Sequence, residues 1–204
     1  MATFEPIEGW REAATKLAAD LGADMSHALQ VTRLALALFD ELAALHKRGP
    51  RERAWLECAG LLHDVGLSVS DTAHHKVSLR LILDSGRLPL PDRERLIVAN
   101  VARYHRSSLP SARHPDFAAL APEDQEAVRL LAALLRVADG LDRTHSDVVT
   151  GLACEVEEGG VAVMCSTAGL AEPECEAALR KGDLFEQVFG RQLSIVLGGT
   201  LGGT

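Results

Sequence analysis

Aromatic side chains are scarce in this chain: Phe, Trp and Tyr together make up 4% of its 204 residues. With 47% apolar content, the core must therefore be built mostly from Leu, Ala and Val, which suits packed helices. Cysteine is also little used. Cys58, Cys154, Cys165 and Cys175 show no Cys-x-x-Cys spacing, and no signal peptide precedes them, so they read as reduced thiols of a cytoplasmic protein. Basic residues are outnumbered, 21 against 29 acidic ones, for a net charge of −8. That balance disfavours non-specific binding to nucleic acid or to an anionic membrane. A phosphorylated substrate would need a local positive site, made by a metal and a few Arg or Lys. No apolar run approaches the roughly 18 residues of a membrane span. Nucleophile-elbow, P-loop and dinucleotide-binding fingerprints are all missing.

What the chain does have is Leu61-Leu62-His63-Asp64-Val65-Gly66, an adjacent His-Asp pair closing an apolar helical run. Imidazole and carboxylate are metal ligands of borderline to hard character. Neighbouring residues on a helix point about 100° apart, so both can face one centre only if other elements close around them. Candidates to do so are His27 upstream and His74, His75, His105 and Asp139 downstream, each in or beside an expected helix.

Taken in order, residues 10–21 are amphipathic and stop at Gly22. Asp24 or Ser26 can cap a helix running to about Lys47, with His27, Val31, Leu34, Leu38, Leu42 and Leu45 at steps of three and four. Gly49-Pro50 breaks it, and the next helix carries Trp55, Ala59 and Leu62 inward to His63. Gly66 ends that helix and lets the backbone turn away. His74-His75 opens a helix over 75–85, where at least one of the pair is expected as a ligand. Lys76 sits at its N-terminus, where anions are favoured. Asp92 caps a helix reaching His105, which is flanked by Arg103 and Arg106. A His there can be a ligand or simply complement the helix dipole. Residues 107–122 read as a loop, either a lid or a structural excursion. A last long helix runs from Glu123 to about Leu141. Asp139 projects near its apolar face, a costly place for a carboxylate unless it is paired or bound to a cation. Arg143 comes next, free to hold a phosphate or to pair with Asp142 or Asp147.

The composition then changes. Leu152, Cys154 and Val156 alternate with polar or small residues, as do Val161, Val163 and Cys165 across Gly159-Gly160, which reads as a β-hairpin. Residues 173–189 read as one helix and 192–197 as a third strand, with no evident chemistry in this unit. The expected organisation is a helical metal-binding domain over 1–148, a small α/β subdomain over 149–197 and a flexible tail over 198–204.

The ordered set His27, His63-Asp64 and Asp139 resembles the H…HD…D signature of the HD superfamily of metal-dependent phosphohydrolases. The words around His74-His75-Lys76, Arg103-Tyr104-His105-Arg106 and Arg136-Val137-Ala138-Asp139-Gly140 are similar to the C-terminal HD region of the exopolyphosphatase/pentaphosphate phosphatase (Ppx/GppA) family, from about Met25 to about Leu197. The β-β-α-β unit resembles the segment C-terminal to the HD helices in that family. The resemblance implies a mainly α fold, an HD-domain helical bundle with a small C-terminal β-β-α-β subdomain. It also implies one or two divalent ions (Mn, Fe, Co, Ni, Zn or Mg) held by His27, His63, Asp64 and Asp139. If His105 and His74 or His75 join, a second ion fits with Asp64 between. Asp64, Lys76, Arg103, Arg106 and Arg143 would then act on a small phosphorylated substrate such as a nucleotide or polyphosphate. A homodimer is compatible with these features. Full-length exopolyphosphatases resemble actin-like enzymes in their N-terminal half, which carries polyphosphate cleavage and for which this chain has no room. The implied alternatives are a stand-alone phosphohydrolase and a non-catalytic nucleotide- or polyphosphate-binding module.

Overall fold

The Asp24 carboxylate accepts the backbone N–H groups of Ser26 and His27 at 3.1 and 3.2 Å, starting the helix that carries the first candidate ligand. In the computed structural model, which describes residues 9–106 and 108–198, this helix is α2 (Met25–Glu41). It comes after α1 (Trp10–Asp20). His27, Val31, Leu34, Leu38 and Leu42 are all buried, as their spacing predicts. The helix ends earlier than expected, and a single turn, α3 (Ala43–His46), completes it. His46 explains the tight end: its Nδ1 accepts the Arg48 N–H at 2.9 Å and its Nε2 donates to the Phe39 carbonyl at 2.8 Å.

Pro50 then opens α4 (Pro50–Leu62), and the Glu52 carboxylate accepts the Gly49 N–H at 3.1 Å. Every residue from Trp55 to Leu62 is buried, so α4 is the central helix, enclosed by α1, α2, α6 (Asp92–Arg103) and α8 (Pro122–Gly140). After His63-Asp64 the chain makes a 3₁₀ turn, Val65–Ser68, before α5 (His74–Asp84). Gly66 is needed here for close approach: a Cβ on it would lie 2.2 Å from the His74 carbonyl oxygen. The expected loop after α6 contains one short helix, α7 (Pro115–Ala118). Its Phe117 is buried, and the Tyr104 hydroxyl lies 2.8 Å from His114 Nδ1.

The helices are followed by a three-stranded sheet, so the fold is mainly α with a small C-terminal β element. Strands β1 (Val149–Val156) and β2 (Gly160–Thr167) form an antiparallel hairpin, and β3 (Gln192–Gly198) pairs with β2 in parallel. Val161, Val163 and Cys165 stand opposite Leu193, Ile195 and Leu197 on the face turned to the helices. The expected single crossover helix is two, α9 (Glu172–Arg180) and α10 (Asp183–Phe189), broken at Lys181-Gly182. The sheet unit is tied to the helices by polar and close-packed contacts. Gln30 donates to the Val149 carbonyl at 2.7 Å, and the Arg33 guanidinium donates to the carbonyls of Val149 and Thr150. Buried Arg136 on α8 reaches Asp183 at 2.6 Å and the Lys181 carbonyl at 3.2 Å. Gly140 lets α9 touch α8, since a Cβ there would lie 2.5 Å from the Ala178 Cα. Of the expected tail, residues 199–204 lie outside the described residues, while Gly198 closes β3.

Candidate metal centre

Three of the candidate histidines are oriented by the same local device. Each places its Nδ1 on the backbone carbonyl three residues earlier: His63 on Gly60 at 2.7 Å, His74 on Asp71 at 3.1 Å and His105 on Ala102 at 2.7 Å. A carbonyl only accepts, so Nδ1 carries the proton and Nε2 is left as a lone-pair donor. His27 uses a carboxylate instead: its Nδ1 lies 2.7 Å from Asp142 Oδ2. Asp142 is fully buried and also accepts the Asp147 N–H at 3.1 Å. Such outer partners fix ring orientation and raise the basicity of a metal-binding imidazole.

The four Nε2 atoms converge on Asp64. Its Oδ1 lies 3.2 Å from both His74 Nε2 and His105 Nε2, and those two nitrogens are 3.2 Å from each other. Its Oδ2 lies 3.6 Å from His63 Nε2 and 3.9 Å from His27 Nε2. Asp64 therefore belongs to two groups that could hold a metal ion, one with His27 and His63 and one with His74 and His105. Asp139 closes the first, with Oδ1 3.4 Å from His27 Nε2.

The donors fit a divalent cation. Ligands about 2.0–2.2 Å from one ion stand roughly 3.0–3.5 Å apart, which brackets the Asp64, His74 and His105 triangle. His63 Nε2 and Asp64 Oδ1 are buried without a hydrogen-bond partner among the described residues, a costly state for polar atoms unless a cation satisfies them.

Electrostatics point the same way. Burial pushes His63 down to about 4, so its imidazole is neutral and available as a ligand. Burial also works against charge on His27, but Asp139, Asp142 and Asp64 outweigh it and raise the group to about 9. Asp64 and Asp139 stay well below the usual carboxylate range despite burial, Asp64 because of His63, His105 and His74 and Asp139 because of Lys181 and His27. In the absence of a metal, protons and one lysine supply the positive charge that two buried carboxylates require.

The centre opens into a cavity of about 420 Å³ lined by His27, Asp64, His74, His105 and Asp139 together with four cations, Arg106, Arg143, Arg180 and Lys181. Arg143 makes no hydrogen bond or ion pair among the described residues; it does not pair with Asp142 or Asp147. Arg106 lies 3.4 Å from His74 Nδ1.

Three of the candidate residues lie apart from the ligand groups and the cavity. His75 belongs to neither ligand group, because it sits one position, about 100° of helix, away from His74. Lys76 is exposed on α5 and does not line the cavity. Arg103 is buried and turned to Asp116 at 3.8 Å. No described residue of the 107–122 loop lines the cavity.

The unit after residue 148 does contribute, through Ala177, Arg180 and Lys181, with the Lys181 ammonium paired to Asp139 Oδ2. Asp142 and His145 were not expected either. His145 is stacked on His27 with ring centroids 3.7 Å apart and holds Asp24 at 3.0 Å. Its backbone is left-handed, φ 54°, an uncommon state for a residue other than glycine and one that clusters at functional sites. For Lys181 the sequence offers only a basic pair before a helix-stopping glycine.

Fold and site together define a mainly helical domain whose buried His/Asp cluster could hold a divalent metal. Residues 11–168 match the family described as Ppx/GppA phosphatase, domain III, and the chain belongs to that family. No curated protein matches the chain.

Proposed function

We propose that this domain is a metal-dependent phosphohydrolase acting on a small phosphorylated compound, such as a nucleotide, a polyphosphate or a similar ester or anhydride. The observation that carries this reading is Asp64, shared between two ligand groups in a cavity lined by four cations. Asp64 with His74 and His105 would hold one ion, and Asp64 with His27, His63 and Asp139 a second. Such an ion, when bound, polarises a phosphoryl oxygen and makes water acidic enough to attack near neutral pH. The chain's own groups do the rest. Asp142 holds the His27 ring in one tautomer and orientation. Arg143, with no other partner among the described residues, meets the phosphate oxygens at the mouth, and Arg106 supports it from the α6 side. The cationic rim lets an acidic protein accept an anion locally.

The family's name covers phosphatases, whereas the match is to a single domain of them. That, with Lys181 already seated on Asp139, favours a second reading: a module that binds a phosphorylated ligand without turning it over. Metal analysis of the purified protein, then phosphate release and calorimetry across nucleotides and short polyphosphates with added Mn²⁺, separates the two. Release that needs metal and is lost in Asp64→Asn supports hydrolysis. Tight binding with no phosphate released from any compound supports the module.

A further inference from the structure

The two halves of the centre are not equivalent. Around Asp64, His63, His74 and His105 no basic side chain among the described residues neutralises the carboxylate except the imidazoles themselves. Asp139 instead carries an ammonium, that of Lys181. This lysine sits in the break between α9 and α10, and its backbone is fixed: its N–H donates to the carbonyls of Ala177 and Ala178 at 3.2 Å, and its carbonyl accepts from Arg136. Only the side chain is free to move. Lys181 lines the cavity, as do Arg143, Arg180 and Arg106.

We propose that Lys181 is an exchangeable counter-cation: it holds Asp139 until a divalent ion takes that carboxylate, and its ammonium then turns into the cavity to bind the substrate's phosphate. This rests on the metal-binding reading of the site. The exchange is a consequence of charge. Lys181 holds Oδ2 while Oδ1 faces His27 Nε2, and an ammonium and a divalent ion sharing the two oxygens of one carboxylate at low local dielectric repel each other, which favours exchange. A lysine is suited to this task, because its compact charge rides on a flexible four-carbon stem. No covalent step is involved; one cation replaces another on Asp139 and the displaced charge stays in the cavity. The sheet unit would thereby set both metal affinity and anion affinity, with opposite signs.

The test uses the full chain and two probes, Mn²⁺ alone and then inorganic phosphate added to the Mn²⁺-loaded protein, both by calorimetry. Removing the competing cation in Lys181→Met should tighten Mn²⁺ binding by about tenfold or more and weaken phosphate binding by about fivefold or more. Lys181→Arg should stay close to the parent in both. Lys181→Gln, read beside circular dichroism, covers the case in which methionine disturbs the turn. A merely structural lysine would weaken both affinities together, and that result, or unchanged Mn²⁺ affinity in folded variants, overturns the proposal alone. Absence of Mn²⁺ binding in the parent and in every variant overturns the metal reading itself and this proposal with it.

Discussion

Asp64 is the residue on which both ligand groups depend, so its loss should be felt at both. Asp64→Asn removes the one carboxylate that, among the described residues, lies within 3.9 Å of His27, His63, His74 and His105 alike. Metal stoichiometry by mass spectrometry should fall to near zero while circular dichroism remains helical, since only a polar site is changed. A variant that keeps its full metal content would remove Asp64 from the ligand set. Asp142→Asn acts one step further out. It leaves every ligand in place but loosens the tautomer of His27, and an outer-partner change of this kind costs about 10–100-fold in metal affinity. The metal-free protein should also show a stability maximum in pH. His63 is held neutral at about 4 against an ordinary 6.5, so the unfolded chain binds the extra proton and stability is lost as pH falls from 6.5 towards 4. His27 is raised to about 9, so its contribution is complete below 6.5 and is lost as pH rises through 9. Urea midpoints in chelator should peak near pH 6.5 and decline on both sides; a midpoint that climbs steadily from 6.5 to 9 would contradict the charge assigned to His27.

At the scale of elements, the helices and the order in which they carry the candidate ligands are legible because periodicity and caps are local. Val31, Leu34, Leu38 and Leu42 announce a buried face, and Asp24 announces where α2 begins. The choice of His74 over His75 is not legible. Both share one helix terminus, and only the tertiary angle of α5, set by its contact with Gly66, decides which imidazole faces Asp64. Lys181 is hidden for the same reason. A basic pair at a helix end is an ordinary surface feature, and its meaning comes from α9 lying against α8 at Gly140. That contact gives an element-scale prediction. In Gly140→Ala the new Cβ would stand 2.5 Å from the Ala178 Cα and 2.6 Å from its nitrogen, both backbone atoms that cannot rotate away. Helix α9 must move outward, at a cost of about 1–3 kcal/mol or somewhat more, and Lys181 moves with it. The unfolding free energy from urea titration should drop by that amount, and Mn²⁺ affinity should rise as the ammonium leaves Asp139. If stability is unchanged, the tight α8–α9 contact is wrong.

For the whole molecule, the question is whether the helical bundle and the sheet unit form one cooperative structure. The interface is built from groups that cannot be exposed separately without cost. Arg136 is buried and bonded to Asp183, the Lys181 carbonyl and the Tyr104 carbonyl. Opening the sheet unit would leave its guanidinium unpaired inside the bundle, and an uncompensated buried charge is strongly destabilising. The Asp139–Lys181 pair and the Gln30 and Arg33 bonds to β1 add to the coupling. Unfolding should therefore be two-state. The chain supplies its own separate reporters: Trp10 and Trp55, both tryptophans of the chain, lie in α1 and α4, while Cys165 is buried on β2. Tryptophan fluorescence and peptide-resolved thiol labelling of Cys165 should give the same urea midpoint. Arg136→Ala should shift both reporters together by about 2–4 kcal/mol, from lost charged hydrogen bonds and the space left behind. Early labelling of Cys165 while the fluorescence is still native would mean that the sheet unit opens on its own, and Lys181 could then not hold a fixed place in the metal centre.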